Sequence, residues 1–118
     1  MAVWDDYAAE TRLKQTNIDT GTTTVDSFGD TTAYGVIWRF VIDNGSGTNM
    51  RVGVIQAVWD TTSDSTPVAT AEMSSADIGD TSGVSFAVDK SGTTVRLRMT
   101  VGTDDWTFYG LRTLIGAT

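Results

Sequence analysis

Two apolar segments joined by a short polar turn decide the fold of this chain: Ala33–Ile42 (AYGVIWRFVI) and Met50–Trp59 (MRVGVIQAVW), on either side of Asp43–Gly47 (DNGSG). Both segments are rich in β-branched and aromatic residues, which favour extended strands. Asn and Gly tolerate the positive φ angles that hairpin loops require, so the polar stretch is typical of such a loop. We therefore predict an antiparallel hairpin of two long strands.

The two predicted strands are apolar in both alternating sets of side chains. A strand with one solvated face alternates between apolar and polar residues, so this pattern indicates strands that are covered on both faces. A sandwich has a single interior, and we expect a neighbouring subunit to cover the second face. The sequence leaves open which set lies inside, so the candidate interface residues are Val52 and Val54 from one set and Ile55 from the other.

The composition extends the β prediction to the whole chain of 118 residues. It contains 21 Thr, 13 Asp and only 2 Glu; Thr favours strands, Asp favours turns, and Glu is a helix former. Turn signals recur about every ten residues, a spacing typical of sandwiches and barrels. We predict an all-β fold, a single antiparallel β-sandwich of seven or eight strands, with a jelly roll as one candidate topology. Further strands are predicted at Arg12–Ile18, Thr22–Phe28, Val68–Ser75, Val84–Asp89, Thr93–Val101 and Trp106–Ile115, and a compact loop at Ala76–Gly83.

The chain is predicted to have two parts, an N-terminal arm or docking segment over residues 1–13 and a β-sandwich domain over residues 14–118. The arm has five charged or polar residues, Asp5, Asp6, Glu10, Thr11 and Arg12, beside a few large apolar side chains. Large aromatic side chains are common anchors in protein interfaces. Trp4 and Tyr7 are therefore further candidates for contact with a partner.

Cysteine and histidine are both absent from the sequence. Their absence excludes disulfides, Ser-His and Cys-His catalysis, and zinc sites of the Cys/His type. The net charge is −7, and the eight basic residues are scattered, which argues against nucleic acid or a membrane surface as a partner. Arg96, Arg98 and Arg112 are expected to pair with Asp on the sheet surface or across a subunit contact. No cofactor is predicted.

Carboxylates alone are sufficient for two kinds of site, a calcium site and the acid pair of a glycan hydrolase. Asp77 and Asp80 lie in an oxygen-rich loop whose spacing matches no EF-hand, and Asp104-Asp105 falls in a predicted hairpin loop. Turn formation is the simpler interpretation of all four. We therefore predict no metal-binding and no catalytic residues.

Three aromatic residues are candidate glycan contacts, because an aromatic face can stack on a sugar ring: Trp59, Trp106 and Tyr109. The alternative is that they lie in the core, since aromatic side chains bury large areas. Three of the four tryptophans fall in predicted strands, which favours the core interpretation.

Five strings occur together and in order along the chain: TTTVDSF (22–28), MRVGVIQAVWD (50–60), SSADIGDTSGVSFAVD (74–89), SGTTVRLRMTV (91–101) and LRTLI (111–115). In this combination, from about Lys14 to Ile115, the sequence resembles a β-rich module of virion structural proteins of tailed bacteriophages. Such modules occur in tail-fibre, neck and other appendage proteins of marine and cyanobacterial phages. Each string alone is a weak signal, but the ordered set covers nearly the whole domain.

The resemblance implies a non-enzymatic structural protein of the phage virion, assembled in the host cytoplasm and bound to other virion proteins. Candidate positions are a tail, neck or fibre accessory subunit and a capsid decoration subunit. We expect a symmetric homo-oligomer, with a trimer as the assumed number of copies. The alternative is a carbohydrate-binding module that attaches to host surface glycans. A third hypothesis is a glycan hydrolase that uses carboxylates alone.

Overall fold

The computed structural model describes residues 8–62, 67–69 and 73–116, and over these ranges the chain is a sandwich of two antiparallel β-sheets. This confirms the predicted all-β sandwich. Within the described ranges no helix is long and apolar enough to cross a membrane. The strands are β1 (Ala8–Ile18), β2 (Gly21–Gly29), β3 (Gly35–Asp43), β4 (Met50–Val58), β5 (Val68–Ala69), β6 (Met73–Ile78), β7 (Ser85–Ser91), β8 (Thr94–Val101) and β9 (Trp106–Ile115).

The larger sheet has the strand order β1-β9-β3-β4, with β5 and β6 both paired to β4, and the smaller sheet has the order β2-β8-β7. The predicted hairpin is confirmed as β3 and β4, which pair with Val41 opposite Val52. In its loop Gly45 and Gly47 have φ angles of 90° and 72°, and Asp43 Oδ1 accepts a hydrogen bond from Gly47 N at 2.9 Å. Glycine and Asp thus stand where the turn requires them.

One set of side chains from each sheet fills the interior of the sandwich. Trp38, Ile55 and Phe108 from the larger sheet are at most 2% exposed, and Leu97 and Met99 from the smaller sheet are fully buried. Burying one large apolar side chain stabilises a fold by about 1.5–3 kcal/mol. This shared layer therefore fixes which face of each sheet points inward.

A buried polar contact joins the two sheets across this apolar layer. Asp26 of β2 accepts a hydrogen bond from Arg112 Nη1 of β9 at 2.9 Å and another from Trp38 Nε1 of β3 at 2.8 Å. The Asp26 side chain is only 5% exposed, so both of its partners compensate the desolvation of its charge.

The expected pairing of an arginine with Asp on the sheet surface is confirmed for Arg96; Arg112 also pairs with an Asp, but inside the sandwich and not on its surface. Arg112 pairs with Asp26, and Arg96 makes two hydrogen bonds of 2.7 Å to Asp89 on the smaller sheet. Arg98 makes no ion pair within the described part of the chain, but its charge acts on Asp89 from a distance.

The first strand begins earlier than predicted. β1 starts at Ala8 rather than Arg12, and residues 8–13, which were assigned to the arm, pair with β9 along the edge of the larger sheet. Residues 9–12 are exposed, and the apolar residues of the segment, two alanines and Leu13, do not alternate with polar ones. The segment therefore lacks the apolar alternation by which a strand is recognised. Residues 1–7, with the candidate contacts Trp4 and Tyr7, lie outside the described residues.

The segment between β4 and β7 also differs from the prediction. In place of one strand over Val68–Ser75 there are β5 and β6, and β6 runs on to Ile78 into the predicted loop Ala76–Gly83. Asp77, interpreted as a turn residue, lies in the strand opposite Arg51 of β4, whose Nε is 3.4 Å from Asp77 Oδ1. The jelly-roll topology stays a prediction.

Candidate assembly and binding face

The outer face of the larger sheet, which points away from the sandwich interior, is the candidate functional surface. Along β4 the inward residues Ile55 and Ala57 are 2% and 5% exposed, whereas the outward residues Val52 and Val58 are 48% and 56% exposed. The two apolar sets of the hairpin thus divide between the core and the surface. We call this surface the outer face.

The outer face holds every large apolar side chain that is strongly exposed among the described residues. The pairing explains why they share one face, since Gly35 of β3 lies between Ile115 of β9 and Val58 of β4, and Met50 pairs with Ile78 of β6. An exposed apolar surface of this kind marks an interaction site in soluble proteins. The set is Tyr34, Val52, Val58, Ile78, Tyr109 and Ile115.

A depression of about 600 Å³ lies at one end of the outer face. We call it the apolar groove and define it by Tyr34, Ile37, Val58 and Ile115. Tyr34 N donates to Ile115 O at 3.1 Å, and its ring lies on Gly116, where a Cβ atom would come within 2.7 Å of Tyr34 Cδ2. The missing side chain of Gly116 therefore allows Tyr34 to form one wall of the groove.

The opposite end of the outer face has a second, smaller apolar depression, of about 210 Å³. It lies between β4 and β6, and Met50, Val52 and Ile78 contribute to its lining. The exposed apolar surface therefore extends along the β4 side of the outer face from the apolar groove to this depression.

The β1 side of the outer face is basic rather than apolar. Lys14 of β1 lies opposite Tyr109 of β9, and Arg12 of β1 and Arg39 of β3 flank Leu111, two residues further along β9. We call these four residues, Arg12, Lys14, Arg39 and Tyr109, the basic patch. Lys14 Nζ lies 5.5 Å from the centre of the Tyr109 ring, within the range of a cation–π contact. Residues of the basic patch help to line a shallow hollow of about 380 Å³.

The structure separates the candidate interface residues. Val52 and Val54 lie on the outer face, Val52 half-exposed and Val54 partly buried. The prediction of Ile55 as an interface residue is corrected, because its side chain points into the core and is 2% exposed. Strand alternation explains the split, since successive side chains point to opposite faces.

The three candidate glycan contacts are not brought together. The prediction of Trp106 as a glycan contact is corrected, because the residue is 3% exposed and its Nε1 donates to Thr103 Oγ1 at 3.0 Å. Trp59 is partly buried, packs on the ring of Phe28 and donates to Asp30 O at 2.7 Å. Tyr109 alone of the three is strongly exposed, at 43%, and lies on the outer face.

Asp80, considered as a calcium ligand, and Asp104, considered as a hydrolase carboxylate, both accept hydrogen bonds in the loops. Asp80 Oδ1 accepts hydrogen bonds from the hydroxyl and the backbone N of Ser82, and these two contacts lower the pKa of Asp80. Asp104 Oδ1 accepts bonds from the backbone N and the hydroxyl of Thr20, which lower its pKa. Within the described ranges no group of three or more acidic residues could hold a metal ion.

Sequence reasoning missed the basic patch. Its residues lie on three strands that are neighbours in the sheet but distant in sequence, since Arg12 and Arg39 both flank Leu111 of β9. The available signal was the polar edge strand β1, which carries Arg12 and Lys14 two residues apart and therefore on one face. Only the pairing of β1 with β9 shows what lies beside them.

No family model and no curated protein matches the sequence. Solved structures share the fold: the tailspike protein of Acinetobacter baumannii phage AM24 matches 100% of this chain with a TM-score of 0.56 at 10% identity. The tailspike protein gp49 from Acinetobacter baumannii bacteriophage Fri1, a capsular polysaccharide depolymerase, matches 98% with a TM-score of 0.53 at 10% identity. The chain spans 27% and 19% of the lengths of these two proteins. The likeness lies in the fold alone: this chain is similar in fold to one part of phage tailspike proteins.

Proposed function

We propose that the chain is a non-enzymatic structural module of a phage tail appendage that assembles with further copies of itself through the β4 side of the outer face. The sequence resemblance and the fold shared with tailspike proteins support the tail setting. The observation that carries the proposal is the concentration of exposed apolar side chains on a single sheet face. Neck, fibre or capsid decoration positions are the finer alternatives within the virion, where it would bind other virion proteins after assembly in the host cytoplasm.

A second copy of this chain is the occupant that best fits the apolar surface. The β4 side covers β3 and β4, of nine residues each, and the short strands β5 and β6 beside them. This is roughly 410 Å² in projection at about 4.8 Å between strands and about 3.3 Å per residue. One such contact is at the small end of specific interfaces. In a closed ring each subunit makes two contacts, so ring closure offsets the small area of each.

The basic patch favours a ring over face-to-face pairing. Two outer faces packed over their full width, with the β1 side of one copy over the β1 side of the other, would bring the two basic patches close together, and like charges repel. A head-to-tail contact places the apolar surface of one copy on a different surface of the next, and such contacts close into rings. The trimer expected from the sequence is a ring of this kind.

A mass-spectrometric inventory of purified virions tests the virion assignment. We expect peptides of this chain in the particles, at a copy number close to that of the tail proteins. A copy number close to that of the major capsid protein would assign it to capsid decoration, and absence from the particles would contradict the proposal.

Carbohydrate binding is the second candidate function, and the exposure of Tyr109 beside three basic side chains favours it. Trp59 and Trp106 do not contribute an open ring face, so this candidate rests on a different set of residues from the one that the sequence suggested.

The non-enzymatic assignment is part of the first proposal. A sugar-release assay on bacterial surface polysaccharides tests it, and released oligosaccharides would contradict it.

A further inference from the structure

The basic side chains of this chain fall into two groups. Four of the eight form ion pairs with Asp residues, and Arg98 lies on the smaller sheet. The remaining three are Arg12, Lys14 and Arg39, and within the described residues none of them pairs with a carboxylate. All three lie in the basic patch, on the outer face of the larger sheet. Three of the four basic side chains that make no ion pair among the described residues thus lie at one place, although the net charge of the chain is −7.

The pairing of the strands fixes the geometry of the basic patch. Arg12 and Arg39 lie on either side of Leu111, in the row next to Lys14, Tyr109 and Val41. The backbones of Arg12 and Arg39 are two strand spacings apart, about 10 Å. This distance is comparable to the length of a disaccharide.

The patch keeps its positive charges near an exposed aromatic ring without neutralising them. Arg39 Nη1 makes one long hydrogen bond, of 3.4 Å, to Thr113 Oγ1, and Lys14 contacts the Tyr109 ring. Among the described residues the acidic side chains that share the outer face are Glu10 and Asp43. Neither makes an ion pair there, and Asp43 accepts the loop bond from Gly47 N. The guanidinium and ammonium groups are therefore open to a ligand that brings its own negative charges.

We propose that the basic patch binds an acidic polysaccharide, with uronate-type carboxylates held by Arg12, Lys14 and Arg39 and one sugar ring lying against Tyr109. This inference deepens the carbohydrate-binding candidate function, on which it rests, and names the site and the ligand charge. The hollow beside Tyr109 is shallow and open along the face, which suits a segment of a long polymer. Regularly repeated carboxylates match cations that are spread over two strand spacings.

An acidic peptide is the competing ligand, and the location of the patch disfavours it. An extended peptide binds a sheet most readily by adding a strand at an open edge, where its backbone makes hydrogen bonds. Tyr109 and Arg39 lie on β9 and β3, whose backbones are already paired on both sides. A strand added at the open edge of β1 would lie beside Arg12 and Lys14 but would leave Arg39 two strands away. A ligand that contacts all four residues of the patch therefore uses their side chains, and an aromatic ring among cations suits a charged sugar.

Binding of the purified chain to three polymers tests the ligand class: polygalacturonate, neutral dextran and poly-L-glutamate. By isothermal titration calorimetry at low salt we expect binding to polygalacturonate, none to dextran and at least tenfold weaker binding to poly-L-glutamate. Raising the salt concentration should weaken the binding, because exposed charges are screened. Absence of binding to polygalacturonate, or equal binding to poly-L-glutamate, would overturn the proposal.

Variants of the patch test the location of the site. The double variant Arg12→Gln with Lys14→Gln, and separately Tyr109→Ala, should each weaken polygalacturonate binding at least tenfold while the circular dichroism melt keeps its shape. Arg96→Gln, which removes one charge from the smaller sheet, is the control and should bind like the wild type. Unchanged binding in both patch variants would refute the site.

Light scattering on the same samples reports self-association. A failure of the assembly proposal therefore appears as a monomer mass, whatever the binding result.

Discussion

The outer faces of the two sheets differ in chemistry, although both belong to the same small sandwich. On the smaller sheet the outward residues are polar: the hydroxyls of Thr22 and Thr100 are hydrogen-bonded at 2.8 Å, and Arg96 pairs with Asp89. On the larger sheet the outward residues include Val52 and Val58, both about half-exposed. Water can hydrogen-bond to the polar side chains of the smaller sheet, whereas the larger sheet exposes apolar surface that a further copy of the chain would bury.

The difference is already present in the alternation of each strand. β8 reads Val95, Leu97, Met99 and Val101 in one set and Arg96, Arg98 and Thr100 in the other, and the structure buries the first set. β3 and β4 have no such contrast, so alternation alone does not separate their inner and outer sets. A strand that is apolar in both sets therefore points to a covered outer surface, and the fold decides which set that is.

The largest effect is expected from placing charge on the inner side of β4. The double variant Ile55→Asp with Ala57→Asp buries two carboxylates without partners, which costs more than about 5 kcal/mol, comparable to the whole stability of a small domain. We expect an unfolded chain by circular dichroism at 25 °C. A cooperative melt of the double variant above this temperature would show that the inner face of β4 is wrongly assigned.

The next largest loss of stability is expected from removing Asp26, whose side chain joins the two sheets. Asp26→Ala removes the acceptor for Arg112 and Trp38 and leaves a largely buried guanidinium without its partner, so we expect a loss of about 3–5 kcal/mol in the free energy of unfolding. Asp26→Asn keeps an oxygen for hydrogen bonding and should cost less. Urea denaturation of both variants checks this order, and equal stability of Asp26→Ala and the wild type would contradict the structural role of the pair.

A smaller effect on stability is expected from lowering the pH, through the pair of Arg96 and Asp89 on the smaller sheet. The two hydrogen bonds from Arg96 lower the pKa of Asp89. A carboxylate whose pKa is lower when folded contributes stability above its unfolded pKa of about 3.9 and loses it as the pH falls through the folded value. We expect Arg96→Gln to flatten the fall in melting temperature between about pH 5 and pH 2. A variant with the same pH dependence as the wild type would show that this pair does not contribute.

The sequence predicted the sandwich, the hairpin and the loop chemistry because these follow from local alternation and turn residues. It did not predict that β1 begins at Ala8, since an exposed edge strand held by backbone pairing carries no apolar pattern. It did not predict the basic patch, because Arg12, Arg39 and Tyr109 become neighbours only through the order β1-β9-β3. The choice between the Val52 set and the Ile55 set likewise required the position of the smaller sheet.

The mass of the chain in solution tests the central claim, that the outer face of the larger sheet is an assembly surface. By native mass spectrometry and light scattering we expect the wild type to form a closed oligomer, assumed to be a trimer of the 12.6-kDa chain. The double variant Val52→Asp with Val54→Asp should lose no more than about 1 kcal/mol of stability per site but become monomeric, because charge then lies on the apolar surface. The matched control, Ser85→Asp with Ala87→Asp on the exposed side of β7, should keep the oligomer mass. A monomeric wild type at micromolar concentration, or an oligomer that survives the Val52 and Val54 substitutions, would contradict the account.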